Sequence, residues 1–221
     1  MIYKIQKTNA YLAHEYDIEA DGEVIYFGRL GALSKYQRIK MECSKTDSAV
    51  ISHFRFSAPI NYIPFLHWFG KPKQKKLFNC YCDKKLIGSF ARSLDGYGKQ
   101  RYIIKTASGE TIYVYTVSKG KYTYACFYES DDRTQIAQAD TFLTAQNGCF
   151  SHTLYLLDEK DGLSQLFLAF MLYYDNLEYT TRGKWYAGKS YNYAYSWGKY
   201  NDKYNSGWKY KHFGEGDFFL E

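Results

Sequence analysis

GLSQLFLAFMLYYDN, Gly162–Asn176, is the stretch on which the reading of the whole chain turns. Leu163, Leu166, Phe167, Leu168, Phe170, Met171, Leu172 and Tyr173 fall on every side of a helix drawn through it. A helix that is apolar all round must be enclosed by protein or by lipid. Its apolar part is about a dozen residues, short of the roughly 20 that a membrane span requires. The chain itself must therefore supply the enclosure, and the residues that precede the helix are the material available.

Those residues read as strands. Aromatic residues make up 20% of the 221 positions and 25 are Tyr, a composition that suits pleated, half-buried surfaces. Ile2–Lys7 is a short first strand. In His14–Ala20, Tyr16, Ile18 and Ala20 alternate with Glu15, Asp17 and Glu19. Asp21-Gly22 then gives a hairpin signal, and Glu23–Leu30 returns. Tyr36–Cys43 places Ile39, Met41 and Cys43 opposite Arg38, Lys40 and Glu42, and Ala49–Phe56 follows. After an interruption come Leu77–Asp83, Lys84–Ser93, Gln100–Ala107, Glu110–Ser118, Lys121–Ser130, Arg133–Leu143 and Phe150–Asp158. About twelve short, regularly spaced strands indicate a barrel or a sandwich. A helix with its side chains is about 10–12 Å across. Eight strands leave room only for side chains, so about twelve are needed to admit a helix. The expected fold is mainly β: a closed antiparallel barrel of roughly twelve strands around a hydrophobic helix near the C-terminal end. A two-sheet sandwich with the helix across one open end is the alternative.

Two segments depart from this rhythm. Ser57–Lys76, SAPINYIPFLHWFGKPKQKK, holds all three prolines, which exclude a central strand. It gathers Tyr62, Phe65, Trp68 and Phe69, then Lys71, Lys73, Lys75 and Lys76. Aromatic rings favour the water–lipid interface and neighbouring lysines favour anionic lipid. The plainer reading is a loop whose rings fold back on the barrel. Residues 180–221, rich in Tyr, Gly, Lys and Asn, carry Trp185, Trp197 and Trp208 at nearly even spacing. Such a tail can stack on bases, on sugars or on a protein partner, or wrap the barrel's outer face as a strap. The chain thus divides into a barrel unit, residues 1–179, and an aromatic, basic extension, residues 180–221.

Three features resemble the superfamily of Tubby C-terminal domains, LURP-one-related proteins and phospholipid scramblases. They are the hairpins DIEADGEVIYFGRL and FNCYCDKKLIGSFAR, the run QIAQADTFLTAQNGCFSHTLYLLDEKDGLSQLFLAFMLYYDNLEY, and the position of its helix after all the strands. The resemblance covers Glu15–Tyr179 and implies a twelve-stranded barrel threaded by a helix. It also implies lipid binding, phosphoinositide-like or scramblase-related, as an expectation. Scramblases are described with a calcium segment before the helix. Here Asp158–Ser164, DEKDGLS, lacks the alternating acidic ligands and distal Glu of a calcium loop. Asp161 serves equally as a helix cap.

Charge and chemistry narrow the remaining choices. A net charge of +6 favours acidic partners without choosing among them. Five cysteines without a CxxC read as free thiols in a reducing compartment. His152 lies in phase with Phe150, Leu154 and Leu156, as a satisfied core or rim histidine does. No Ser/His/Asp or Cys/His set can be assembled from local spacing, so an enzyme is not expected. No metal or cofactor is expected either. MIYKIQKTNAYLAHEYDIEA lacks the apolar core of a signal peptide. The expectation is a cytoplasmic, non-enzymatic module, peripheral at anionic phospholipid through Trp68, Phe69, Lys71, Lys73, Lys75 and Lys76. The alternative is a protein-interaction scaffold working through Trp185, Trp197 and Trp208, with nucleic acid ranked below both.

Overall fold

The computed structural model describes residues 1–10, 13–31, 38–55, 77–95, 99–119, 122–143, 150–179 and 200–215. Twelve strands form in chain order: β1 (Ile2–Ala10), β2 (Ala13–Ala20), β3 (Glu23–Gly31), β4 (Arg38–Cys43), β5 (Ala49–Arg55) and β6 (Leu77–Cys82), then β7 (Lys85–Asp95), β8 (Lys99–Thr106), β9 (Thr111–Lys119), β10 (Tyr122–Tyr128), β11 (Gln135–Leu143) and β12 (Phe150–Leu156). Each pairs antiparallel with its sequence neighbour, and β1 pairs with β12, Ile5 opposite His152. The sheet is therefore a closed barrel, not the sandwich. Closure leaves no unpaired edge to attract another chain.

Turn chemistry sets the hairpins. Asp21 and Gly22 both take positive φ, 52° and 80°, the conformation a two-residue hairpin needs to match strand twist. Asp83 and Lys84 adopt the same conformation, φ 47° and 70°, without a glycine.

A 3-10 turn, Asp158–Leu163, leads into helix α1, Ser164–Tyr179. The sequence places the helix start at Gly162 and its end at Asn176, so α1 begins two residues later and runs three further. Every residue from Leu166 to Asn176 is buried. Leu166 packs near Gly88, early in β7, and Leu172 near Gly28, late in β3, so the helix runs up the barrel axis from the end holding the short turns. A β carbon on Gly88 would sit 2.6 Å from both a Leu166 methyl and the Lys105 carbonyl oxygen. Glycine is required there because the helix passes the wall so closely. Around the axis, Phe170 meets Phe90 at 5.8 Å and Tyr102 at 5.4 Å, both edge-on, while Phe167 stacks on Phe127 at 5.0 Å. The inward rows expected from alternation supply the wall, including Tyr16, Ile18, Ile39, Met41 and Cys80.

The wall is covered on part of its outer side as well. In β9 and β10, Tyr115, Val117, Tyr124, Cys126 and Tyr128 form a second buried cluster. Residues 200–215 lie over them. Tyr200 packs on Tyr115 and Tyr204 on Tyr124, each at 4.8 Å. The six-residue helix α2, Trp208–Phe213, follows and ends at Gly214 in the left-handed conformation, φ 68°. Cys43, Cys80, Cys82 and Cys126 are free thiols, while Cys149 lies outside the described residues.

Phe170 has no solvent exposure and rings on several sides. Asp at this position puts an unpaired charge into a dry core, at a cost of several kcal/mol. Phe170→Asp is expected to abolish soluble folding. A soluble Phe170→Asp protein that melts cooperatively would contradict the enclosed helix.

Candidate functional site

The six connections that leave β1, β3, β5, β7, β9 and β11 join strand ends on one rim of the barrel, the rim toward which α1 runs. Just beneath that rim the apolar interior gives way to a cluster of polar side chains. Asp175, on the last turns of α1, is fully buried. Its Oδ2 pairs with the Lys7 ammonium of β1 and accepts a hydrogen bond from the Tyr16 hydroxyl of β2 at 2.7 Å. Its Oδ1 lies 2.9 Å from His152 Nε2 of β12, and His152 Nδ1 lies 3.0 Å from Thr141 Oγ1 of β11. One consistent proton assignment has neutral His152 donating from Nε2 to Asp175 and accepting the Thr141 hydroxyl at Nδ1.

The placement follows from strand register. Tyr3, Ile5 and Lys7 share the inward face of β1, and Lys7 lies opposite Tyr16. Thr141 lies opposite His152. A strand from each side and the helix end therefore converge on one carboxylate. Burial pushes the Asp175 carboxyl up, but the Lys7 ammonium and the His152 hydrogen bond outweigh it and hold the group below the ordinary carboxylate range. His14, one inward step nearer the rim than Tyr16, is buried with its Nδ1 unpartnered. Burial, then the Lys7 charge, push the His14 imidazole down, against the opposing pull of Asp175.

Hydroxyl, imidazole and carboxylate in a row is also the order of a nucleophilic relay. Here Lys7 and Tyr16 occupy the carboxylate's second oxygen, and His152 is 1% exposed. What this arrangement does chemically is neutralise a charge and fix the helix end to three strands.

A second buried ion pair lies outside the barrel. Lys209 of α2 meets Asp140 of β11 at 2.8 Å, both side chains 1% exposed, and Gln138 donates to the other Asp140 oxygen at 2.9 Å. The Trp208 indole N–H donates to the Gln135 carbonyl at 3.0 Å. Nearer the turns, Lys203 pairs with Asp132 at 2.7 Å and accepts the Tyr128 hydroxyl on its carbonyl. Trp208 thus lies in the wrapping arrangement.

Trp68, Phe69, Lys71, Lys73, Lys75, Lys76, Trp185 and Trp197 lie outside the described residues. Asp158, in the stretch compared with a calcium segment, pairs with the N-terminal ammonium at 2.6 Å. Among the described residues, no group of three or more His, Cys, Asp or Glu is placed to hold a metal ion. Sequence reasoning missed the Asp175 and Asp140 pairs. The available signals were Lys7 in phase with Ile5, and Asp-Asn closing an otherwise apolar helix.

Removing one partner of a buried pair leaves the other charge uncompensated, at about 3–5 kcal/mol. Asp175→Asn is therefore expected to be strongly destabilising in urea. Adding Lys7→Met to it should recover much of the loss, because no buried charge then remains. A double variant no more stable than Asp175→Asn alone would contradict the charge argument. In the wild type, this stabilisation is present above the ordinary carboxylate value and is lost as pH falls through the lowered one.

Comparison of the chain with protein-family models, with curated proteins and with solved structures returns no match.

Proposed function

We propose that this chain is a non-enzymatic module that docks the helix-exit rim of its barrel on an anionic phospholipid surface. One observation carries the reading. The connections between strand ends at that rim hold Lys35, then Lys71, Lys73, Lys75 and Lys76, then Lys121, and residues 180–199, the stretch between the helix and Tyr200, hold Arg182, Lys184, Lys189 and Lys199. None of these connecting segments contains a single Asp or Glu. The chain as a whole has 29 Lys and Arg against 23 Asp and Glu, so the rest of it carries an acidic excess. The modest net charge of +6 conceals a basic excess in these segments and an acidic excess in the rest of the sequence. Asp131, Asp132, Glu110, Asp158 and Glu159 belong to turns at the opposite end. Such a charge distribution orients a molecule before contact and raises its encounter rate with an anionic partner.

The aromatic residues favour a lipid surface over a soluble polyanion. Trp68 and Phe69 precede the lysine run by only a few positions, in the connection between β5 and β6. Rings of this kind partition to the lipid interface, while lysines beside them gain electrostatic attraction. The resemblance to Tubby-like domains supports the same reading. No helix among the described residues is long and apolar enough to cross a membrane, so the proposed attachment is peripheral. Binding through the tail to a protein partner is the alternative.

Co-sedimentation with phosphatidylserine vesicles tests the proposal. Each lysine near an anionic surface contributes about 1 kcal/mol, so replacing Lys71, Lys73, Lys75 and Lys76 by Gln should weaken binding by at least about a hundredfold. The melting temperature should not change. Trp68→Ala should weaken binding at constant charge. Wild-type binding should fall with salt, since exposed charges are screened within about 10 Å at 0.1 M. Wild-type protein that ignores anionic vesicles at low salt would overturn the reading in favour of the tail-binding alternative.

A further inference from the structure

Beside the network around Asp175, at the same rim, lies a further buried titratable group, His14. His14 is 6% exposed, and its Nδ1 has neither a partner nor contact with solvent. It follows Tyr16 and Ile18 on the inward row of β2, at the rim end, opposite Ala10 of β1 and Leu30 of β3. Among the described residues, the charged groups that act on it are Lys7 of β1, which carries a positive charge, and Asp175 of α1, which supplies a carboxylate. That carboxylate is already engaged by Lys7, Tyr16 and His152. His152 has a partner on both nitrogens, so either of its protonation states can be satisfied in place. His14 has no such provision at Nδ1. A proton on it brings a second positive charge beside Lys7, while both oxygens of the Asp175 carboxylate are already engaged.

We propose that His14 is an acid-sensitive latch at the helix-exit rim. When neutral, it lets β1, β2 and the end of α1 close over the Lys7–Asp175 pair. When protonated, it opens that end of the barrel. Burial and the Lys7 charge both favour the neutral form of the folded protein. The unfolded chain binds a proton that the folded chain resists, so stability is present above about pH 6.5 and is lost as pH falls below it. For one such group the folding equilibrium constant falls by up to about tenfold per pH unit. The opening occurs at the rim proposed above to meet anionic lipid, so its regulatory sense rests on that reading. The latch itself does not.

The test compares full-length wild type with His14→Phe, and with His14→Gln should the first variant not fold. Urea denaturation at pH 7.5 and pH 5.5 is the first measurement. Both variants lack the titrating group, so their loss of folding equilibrium constant between the two pH values should be smaller than that of wild type, by up to about tenfold. Equal pH dependence in wild type and variant overturns the latch. Hydrogen exchange is the second. In wild type at pH 5.5, protection factors of the Tyr16 and Asp175 amides should fall while those of Val114 and Phe127 hold. A uniform fall would show general acid destabilisation and also overturn it. Phosphatidylserine vesicles supply the third arm. Wild type should bind them more tightly at pH 5.5 than at pH 7.5, and His14→Phe should lose that difference. No vesicle binding at either pH would remove the lipid reading, while the first two arms would still decide the latch.

Discussion

Helix α1 is enclosed by the barrel, and its enclosure sets the width and closeness of the wall. From Leu166 to Asn176 the helix has no exposed side, so the barrel must be wide enough to admit it and close enough to touch it. Twelve strands meet the first requirement. Gly28 and Gly88 meet the second, because Leu172 and Leu166 occupy the space a β carbon would need. The helix does not stay apolar to its end. Asp175 enters the same closed interior and draws Lys7, Tyr16 and His152 toward it from three strands. A charge in that place is tolerated only with its partners. The cluster therefore gives the helix a defined depth and rotation, which apolar packing alone specifies less sharply.

The same logic recurs on the outside of the wall. Tyr115, Val117, Tyr124 and Cys126 face away from α1 yet are buried, because residues 200–215 cover them. Lys209 and Asp140 form a dry ion pair there, as Lys7 and Asp175 do inside. Two buried pairs, one within the barrel and one beneath the strap, fix the two elements that follow the last strand. Both elements are thereby held by contacts among the described residues.

Much of this architecture was legible in the sequence. Alternation in β2 and β4 identified the inward rows, and Asp21-Gly22 identified a hairpin, because period-two patterns and turn residues act locally. The all-round apolarity of α1 indicated enclosure, and the width of a helix then required about twelve strands. What escaped were pairings between residues far apart in the chain. Lys7 and Asp175 are recognisable as partners only once β1 closes on β12 and the helix returns through the barrel. The covered outer face was hinted at by YTYACFY in β10, which lacks the polar alternation of a strand with one side in water. His152 was read correctly as a core residue, but its carboxylate partner was out of reach of local spacing. The candidate lipid residues were found by composition alone, and they lie outside the described residues.

Native-state hydrogen exchange of the central helix tests the enclosure most directly. If the barrel surrounds α1, amides from Phe167 to Tyr174 cannot exchange until the barrel itself opens. Their exchange free energies should match those of the most protected strands and show the denaturant dependence of global unfolding. Exchange of these amides through a smaller opening, insensitive to denaturant while the strands remain protected, would contradict the account.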